Sequence, residues 1–574
     1  MNDTTKTTSA VSAAEVIKSE SNFLRGTIKE SLADAVTGAV ADADQILLKF
    51  HGTYQQDDRD VRLERQKQKL EPDYGFMIRA RITGGVIAAE QWLALDDIAT
   101  RYAKDSIRLT TRQTVQYHRV EKKDLKAAIQ AINEIQLTTI AACGDVNRNV
   151  LSATNPTLSE AHAETYRLAG AISDHLIPET GSYSDIWLDG KPLYGKQKAN
   201  SGSPESEPIY GKTYLPRKFK IALAVPPDND VDVYANDLGY VAIVEQGKLL
   251  GYNVLVGGGM GMSHGDTKTY PNAARVIGMC TPEQVVAVAE QVVTVQRDYG
   301  NRQERKNARL KYTIDRHGLA WFREEVERRL GFELQQARPF HFNTTADQPG
   351  WRQDSSGLWH WCVHIMSGRI SDTGEQRYLS GFRAIAKALG CGFIMTANQN
   401  LVLSGIRDED KARLEALAAE YGMAADANWT PFRRQAMACV GLPTCALAMA
   451  ESERALPDFV QRIESVMQQC GLEQRAITMR ITGCPNGCAR PYLAEIGLVG
   501  KGPGHYNLYL GAAADGSRLN KLYRENISED AVIAELEPLL QRYAQEGLEE
   551  EAFGDFLIRS QLIKAVTEGR LFHD

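Results

Sequence analysis

Several features that would assign a chain to a special class are missing from these 574 residues. No apolar run approaches the roughly 20 residues that a membrane helix needs. The chain does not open with a basic flank followed by an apolar stretch, so we expect no secretory signal. With 66 basic and 73 acidic residues, the net charge of −7 gives no argument for a nucleic-acid partner. We therefore expect a cytoplasmic protein without membrane or nucleic-acid partners.

Nucleotide-binding motifs are missing as well. The glycine run at 256–262 reads Val-Gly-Gly-Gly-Met-Gly-Met. It does not fit G-x-G-x-x-G, because residue 262 is Met and no helix is expected to follow. No Walker motif is present. We predict a tight strand turn at this run, and nothing indicates that the chain binds NAD(P), flavin or ATP through a motif of its own.

Disulfides are not expected either, because the nine cysteines form an odd number in a chain without a signal peptide. Hydrophobic residues make up 43% and charged residues 24%, which excludes wholesale disorder and predicts a globular protein with a large core. Four of the nine cysteines form two close pairs, and this clustering is the feature that calls for a function.

An internal duplication is indicated by patterns that occur twice in the same order. Strand, helix, strand-pair and helix patterns from Phe76 onward recur from about residue 363, and Thr110–Gln113 aligns with Thr396–Gln399. Further on, Asp237-Leu-Gly and the strand ending at Gly257 align with Glu495-Ile-Gly and the strand ending at Gly511. Ala142-Cys143 also resembles Ala438-Cys439. We predict an α+β fold with two pseudo-symmetric halves of mixed sheets and helices around a central cleft for a large cofactor.

The N-terminal part has a different character. Residues 12–38 are typical of one or two amphipathic helices in a docking arm outside the core. Residues 51–73 are predicted to be an irregular, charged lead-in or a solvated linker. The expected domains are an N-terminal arm for partner docking (1–75), a half-domain and a lobe of the first repeat (76–150 and 151–340), and a half-domain and a lobe of the second repeat (341–425 and 426–574).

The two cysteine pairs have the character of a metal site. They are Cys439-x5-Cys445 and Cys484-Pro-Asn-Gly-Cys488. Four thiolates in Gly- and Pro-containing loops suit either zinc or an iron–sulfur cluster. The x5 spacing departs from usual zinc knuckles, and the Cys-Pro step resembles ferredoxin-type ligands, so the spacing favours iron–sulfur. Zinc and unrelated buried thiols stay open as alternatives, and the other five cysteines are predicted to be isolated core residues.

Basic residues on strands and turns indicate anion binding. Arg79 and Arg81 alternate along one strand, and Lys218 and Lys220 share a face before an apolar run. A solvated edge strand protected by lysines is the alternative for residues 217–220.

Together, T-G-C-P-N-G-C at 482–488, C-x5-C at 439–445, L-P-R-K-F-K at 215–220 and the duplicated halves resemble the sirohaem-containing sulfite/nitrite reductases. The resemblance covers nearly the whole chain from about Ser19, including FHGTYQQDDRD at 50–60. It is greatest to the haem-carrying (beta) subunits of assimilatory NADPH-dependent sulfite reductases.

The resemblance implies a role for each of these residues. Cys439, Cys445, Cys484 and Cys488 would bind a [4Fe–4S] cluster, and Cys488 would bridge to the sirohaem iron. Sulfite would be bound by Arg79, Arg148, Lys218 and Lys220. Sirohaem contacts are expected from Arg108, Thr110, Arg112, Gln113, Gln116, His118, Arg217, Lys306, Arg309, Gln399 and Asn486.

The implied activity is the six-electron reduction of sulfite to sulfide in sulfur assimilation and cysteine biosynthesis. Electrons would come from NADPH through a separate flavoprotein subunit carrying FAD and FMN, in a hetero-oligomer. A ferredoxin-dependent sulfite or nitrite reductase is an alternative on the same scaffold, although lysine at both 218 and 220 favours sulfite. An alternative of another class is a zinc-stabilised, non-catalytic anion-binding protein.

Overall fold

The structure is a computed structural model that describes residues 11–189, 206–423 and 429–574. In this part of the chain the α-helices are α1 Ala13–Glu20, α2 Ile28–Ala33, α3 Asp42–Leu47, α4 Arg62–Lys67, α5 Ala89–Tyr102, α6 Leu125–Glu134, α7 Glu160–His175, α8 Ser182–Trp187, α9 Val285–Tyr299, α10 Leu310–His317, α11 Leu319–Leu330, α12 Tyr378–Leu389, α13 Lys411–Glu420, α14 Pro431–Arg434, α15 Leu456–Gln469, α16 Glu529–Glu546 and α17 Phe553–Arg559. None of them is long and apolar enough to cross a membrane.

The strands of the same ranges are β1 Thr53–Asp57, β2 Tyr74–Arg79, β3 Val86–Ile87, β4 Ile107–Leu109, β5 Val115–Val120, β6 Leu151–Ser152, β7 Ile221–Ala224, β8 Leu238–Glu245, β9 Lys248–Val256, β10 Arg275–Cys280, β11 Gly350–Gln353, β12 Trp359–Val363, β13 Arg369–Ile370, β14 Asp372–Thr373, β15 Gln376–Arg377, β16 Gly392–Met395, β17 Leu401–Ile406, β18 Ala436–Ala438, β19 Met479–Thr482, β20 Ile496–Gly502, β21 His505–Leu510 and β22 Lys521–Ser528.

Four five-stranded sheets carry the duplication. Sheet 1 has the order β1-β2-β5-β4-β13, and sheet 3 has the order β11-β12-β17-β16-β3. Sheet 2 runs β10-β9-β8-β7-β6, and sheet 4 runs β22-β21-β20-β19-β18. In sheets 2 and 4 three parallel strands adjoin two antiparallel ones. The two halves therefore repeat one order of elements, as the sequence predicts.

The halves exchange a strand. The short strand β3 follows β2 of sheet 1 but pairs with β16 in sheet 3, whereas β13 pairs with β4 in sheet 1. Two glycines permit the crossing: Gly85 and Gly368 have φ of 74° and 70°. A Cβ atom would lie 2.3 Å from the Met395 carbonyl oxygen at Gly85 and 2.5 Å from the Leu109 carbonyl oxygen at Gly368. Only glycine fits either position.

The aligned turns at Thr110 and Thr396 have the same hydrogen bonds. The Thr110 N–H donates to the Thr114 carbonyl at 2.9 Å, and the Thr396 N–H donates to the Asn400 carbonyl at 3.0 Å. In each turn the threonine hydroxyl accepts the N–H two residues later, from Arg112 at 3.1 Å and from Asn398 at 3.2 Å. This part of the predicted alignment is confirmed.

The core continues across the two halves. Trp92 on α5 is fully buried, and its ring stacks on that of Phe393 on β16 with centroids 4.7 Å apart. Phe382 on α12 meets the same indole edge-on at 5.6 Å. Aromatic burial of this kind stabilises a fold by several kcal/mol in total, so the halves form one packed unit.

The N-terminal part differs from its prediction. The expected helices are present as α1 and α2, but the segment packs into the body: Leu24 and Ile28 are fully buried, and the Lys18 ammonium donates to the Leu215 carbonyl oxygen at 2.7 Å. The prediction that 51–73 is irregular is wrong, because β1 pairs with β2 and α4 follows. Because this stretch is dense in charged residues, its short strand β1 was not predicted.

Candidate functional site

The four paired cysteines come from the ends of two adjacent parallel strands. Cys439 directly follows β18. Cys484 follows β19, with Gly483 between the end of the strand and the cysteine. Because parallel neighbours end at the same edge of a sheet, both loops start side by side. The loops are tied together: the Gly483 N–H donates to the Cys439 Sγ at 3.3 Å, and the Gly483 carbonyl accepts from the Met449 N–H at 2.7 Å.

The four thiols influence one another electrostatically. Burial raises the pKa of Cys439 to about 12, and the neighbouring Cys488, Cys484 and Cys445 add to that rise. Burial likewise raises the pKa of Cys445 to about 12. All nine cysteines of the chain are free thiols. Among the described residues no three Cys, His, Asp or Glu side chains lie close enough together to hold a single metal ion. Four neighbouring thiolates would repel one another, so this donor set fits a positively charged centre that is wider than one ion.

A partly open basic cavity adjoins Cys488. Its polar lining comprises Thr111, Arg112, Lys218, Lys220, Asn236, Arg309, Asn486 and Arg490. Burial lowers the pKa of Lys218 to about 7, and Arg217, Arg148 and Arg309 lower it further. Burial, followed by Lys218 and Arg112, holds the pKa of Lys220 well below its usual range. An anion entering this cavity would relieve that crowding of positive charge.

One face of sheet 1 extends the basic surface. Arg79, Gln116 and Arg108 are register partners on three adjacent strands, and His118 follows on β5. Burial and then the guanidinium groups of Arg369, Arg108 and Arg79 hold the pKa of His118 well below its usual range. A neutral imidazole in a row of cations fits a neighbouring carboxylate-rich ligand.

Arg79 and Arg148 meet at Cys143 and Tyr54. The Arg79 Nη1 donates to the Cys143 Sγ at 2.9 Å, and the Arg148 Nε donates to the Gly144 carbonyl at 3.2 Å. Burial raises the pKa of the Tyr54 phenol to about 12, although both arginines oppose that rise. Cys143 is fully buried, as expected for a core thiol, and it also contacts Arg79.

The proposed equivalence of Cys143 and Cys439 is wrong. The Cys439 N–H donates to the Ile481 carbonyl at 3.1 Å, and the matching bond of the first half is from the Ala153 N–H to the Leu223 carbonyl at 2.9 Å. Leu151 pairs with Ala222 as Met437 pairs with Arg480, so Ala153 is the true counterpart of Cys439. The shared Ala-Cys dipeptide suggested the wrong alignment, because Cys143 lies ten residues before Ala153.

Several expected cofactor contacts bind other protein groups. The Gln113 amide bonds both backbone groups of Ser152, at 2.8 and 3.0 Å. Arg108 pairs with Glu453 at 2.8 Å, and the Gln399 Nε2 donates to the Ala438 carbonyl at 2.9 Å. Lys306 is 56% exposed in its side chain and lies 3.3 Å from Asp266.

The remaining expected contacts lie in the basic region. Arg217 is half-buried, and desolvation followed by the neighbouring Arg305 lowers its pKa to about 10. Arg112 and Arg309 line the basic cavity itself, together with Asn486. The Asn486 Nδ2 donates to the Cys484 Sγ at 3.4 Å, which joins the cavity wall to the thiol cluster.

Two features of the site were missed in the sequence. Arg490 lines the basic cavity and donates to Asp232, a buried ion pair between the two halves. The glycine run is not a tight turn: it opens the loop 257–274, and the Met262 N–H donates to the Pro485 carbonyl at 2.9 Å. The position of Arg490, two residues after Cys488, could have indicated that it belongs to the site.

Two models of known protein families match the chain. A model described as "Nitrite/Sulfite reductase ferredoxin-like half domain" matches residues 68–135 and 352–421, which confirms the duplication. A second model, "Nitrite and sulphite reductase 4Fe-4S domain", matches residues 168–334.

Relatives and one solved structure match over nearly the full length. The chain is 55% identical to the "Sulfite reductase [NADPH] hemoprotein beta-component" of Geobacillus thermodenitrificans, over 98% of each chain. It is 52% identical to the protein of that name from Bacillus subtilis, also over 98% of each. The Mycobacterium tuberculosis NirA protein superposes with a TM-score of 0.76 at 24% identity, over 96% of both chains. That superposition shows the fold.

Proposed function

Since the chain belongs to the family of sulfite reductase [NADPH] hemoprotein beta-components, we propose that it reduces sulfite to sulfide with six electrons. The reaction uses a sirohaem and a [4Fe–4S] cluster. When bound, this cofactor pair supplies single electrons to the sulfur atom. One observation carries the proposal: Lys218, Lys220 and Cys488 line the same cavity.

The cofactor-holding roles follow from the donor set. Cys439, Cys445, Cys484 and Cys488 would hold the cluster, and Cys488 also lines the basic cavity. A tetrapyrrole with eight carboxylates loses much hydration when it is buried, so it needs many cations and hydrogen-bond donors. Arg112, Arg217, Arg309 and His118 would supply them, and Arg108 would add a guanidinium that is already paired with Glu453.

The substrate roles follow from charge and proton affinity. Arg79 and Arg148 are guanidinium groups, which keep their protons and stabilise the negative charge on the oxygens of bound sulfite. Lys218 and Lys220 have lowered pKa values from burial among other cations, so they release protons readily. We propose that these lysines protonate the three oxygens that leave as water.

A separate protein must supply the electrons, because no motif for NADPH or flavin is evident in the sequence. The relatives' name describes a component of an NADPH-dependent enzyme. We propose a flavoprotein partner with FAD and FMN in a hetero-oligomer, docked in part through the segment 1–75. The five segments predicted above are our proposed domains.

The test is an absorption spectrum of the purified protein followed by two assays. Sirohaem predicts a Soret band with long-wavelength chlorin absorption, and a colourless, zinc-loaded protein would refute the proposal. Sulfide release is then measured with reduced ferredoxin and, separately, with NADPH plus flavoprotein. Turnover with ferredoxin alone would overturn the proposed donor while leaving the reaction intact.

A further inference from the structure

The pseudo-symmetry gives the first half a counterpart of the Cys484–Cys488 loop. Asp237 and Glu495 directly precede the equivalent strands β8 and β20, and counting back from each places Asp230 where the second half has Cys488. The backbone agrees, because Asp232 and Arg490 both have left-handed φ, at 45° and 56°. The Pro-Pro-Asp-Asn-Asp segment at 226–230 therefore replaces Cys-Pro-Asn-Gly-Cys at 484–488.

A partly open cavity lies against this counterpart loop. Ala153 and Asp230 line it where the second half has Cys439 and Cys488. Cys362 and Val402 line it at the positions that Arg79 and Gln116 take in sheet 1. The cavity is thus the pseudo-symmetric equivalent of the cofactor region, with a different set of side chains.

The charge of this second cavity is reversed. Three carboxylates line it, from Asp228, Asp230 and Asp347, against the single guanidinium of Arg352. Asp347 already accepts bonds from Asn398 and Asn400, at 3.0 and 2.8 Å. Burial raises the pKa of Asp230 to about 7, and Asp347 and Asp228 add to that rise. The lining therefore favours a cation, whereas the basic cavity favours an anion.

Two buried acceptors of this cavity have no hydrogen-bond partner among the described residues. One carboxylate oxygen of Asp230 accepts from the Thr154 N–H at 2.7 Å, but its Oδ1 is unpaired. The His360 Nε2 lies 3.0 Å from Asp354, and its Nδ1 is unpaired. Because a carboxylate holds the proton on Nε2, the free Nδ1 is an acceptor. Both side chains are more than nine-tenths buried.

We propose that this cavity binds a small molecule with a primary ammonium group on a short apolar chain, accepted by Asp230 and His360. An ammonium carries three donors and a charge, which matches two unpaired acceptors in an acidic lining. The apolar walls formed by Leu158, Val225 and Val402 suit a hydrocarbon body better than a hydrated metal ion. The ammonium could come from a simple amine or from an α-amino acid, whose carboxylate would meet Arg352.

The test is calorimetric titration of the full-length holoprotein with isoamylamine, L-leucine and isovalerate. We expect saturable binding of an ammonium compound and none of isovalerate. Asp230→Asn should weaken that binding by about tenfold or more, the usual loss for a hydrogen bond to a charged group. Arg352→Gln should weaken L-leucine alone if an amino acid is the ligand, and should change nothing if an amine is.

Two further variants keep the result decisive. Asp408→Asn changes an exposed carboxylate on a distant turn and should leave binding unchanged. Leu158→Trp, at a half-buried position, should fill the cavity and abolish binding even if Asp230→Asn fails to fold. An unchanged chlorin spectrum shows that a variant is folded. The proposal is overturned if neither ammonium compound binds saturably, or if binding survives Leu158→Trp.

Discussion

The Asp237 carboxylate accepts two bonds from the Arg309 guanidinium, at 2.9 and 2.7 Å, and both side chains are almost wholly buried. The same carboxylate accepts the Lys220 N–H at 3.0 Å. Asp237 thus fixes a proposed cofactor contact and the backbone of a proposed substrate residue together.

Asp237→Asn should therefore be strongly destabilising. It leaves the Arg309 charge buried without a counter-charge, which typically costs about 3–5 kcal/mol. Urea unfolding followed by circular dichroism measures this loss. As a control, Glu525→Gln removes the exposed partner of Lys501 and should cost less than about 1 kcal/mol. Equal losses in the two variants would contradict the role of Asp237.

Cys484→Ser should lower bound iron and acid-labile sulfide by about tenfold or more, because a hydroxyl is a poor substitute for a thiolate ligand. Metal analysis of the purified variant measures this. Cys280→Ser is the matched control, since Cys280 is equally buried but lies in sheet 2 away from the thiol loops. Equal iron in both variants would rule out Cys484 as a ligand.

Lys218→Met should lower sulfite turnover by about 10²-fold, because it removes a proton donor and a positive charge from the cavity. Steady-state kinetics with reduced methyl viologen avoid any dependence on the partner protein. Lys268→Met, at an exposed position on the loop 257–274, should retain activity. Wild-type turnover in Lys218→Met would exclude the lysine from catalysis.

Lys311 holds the loop that packs on the Cys484–Cys488 segment. Its ammonium donates to the carbonyl oxygens of Gly259 and Gly261, both at 3.0 Å, and to that of Tyr270. Lys311→Met should lower cluster occupancy about tenfold, as loss of an outer contact does at other metal sites, and Lys311→Arg should restore part of it. Iron content and the electron paramagnetic resonance signal report the change. Full occupancy in the Met variant would show that the loop needs no such support.

Acid should destabilise the fold through His51. The His51 Nδ1 accepts from the Trp187 indole N–H at 3.0 Å, and its Nε2 lies 3.1 Å from the Leu24 carbonyl, so the ring is neutral. Burial lowers its pKa from 6.5 to about 4. A lowered pKa means that the unfolded chain binds the proton first, so stability is present above pH 6.5 and is lost as the pH falls towards 4.

The expected loss from this histidine is about 2 kcal/mol between pH 7.5 and 5. It is measured by comparing urea unfolding of the wild type with that of His51→Gln at the two pH values. The amide can donate and accept as the imidazole does but does not titrate. An identical loss of stability in both proteins would assign the acid sensitivity to other groups.

The sequence predicts the duplication well, because it depends on local patterns. The turns at Thr110 and Thr396 repeat their hydrogen bonds since the same side chains make them. Contacts between distant segments could not be foreseen. Gln113 was expected to contact the cofactor, yet its amide is held by Ser152, and the choice between these partners depends on a strand 39 residues away.

The strand exchange also constrains the order of events during synthesis. The edge of β16 that receives β3 belongs to residues 392–395, which leave the ribosome long after residues 86–87. Likewise, sheet 1 receives β13 only once residues 369–370 are made. Until then, the backbone groups at the β4 edge of sheet 1 are unpaired and exposed. Such an edge can pair with the wrong strand. Neither half is expected to fold as an independent fragment, and cofactor insertion must follow completion of most of the chain.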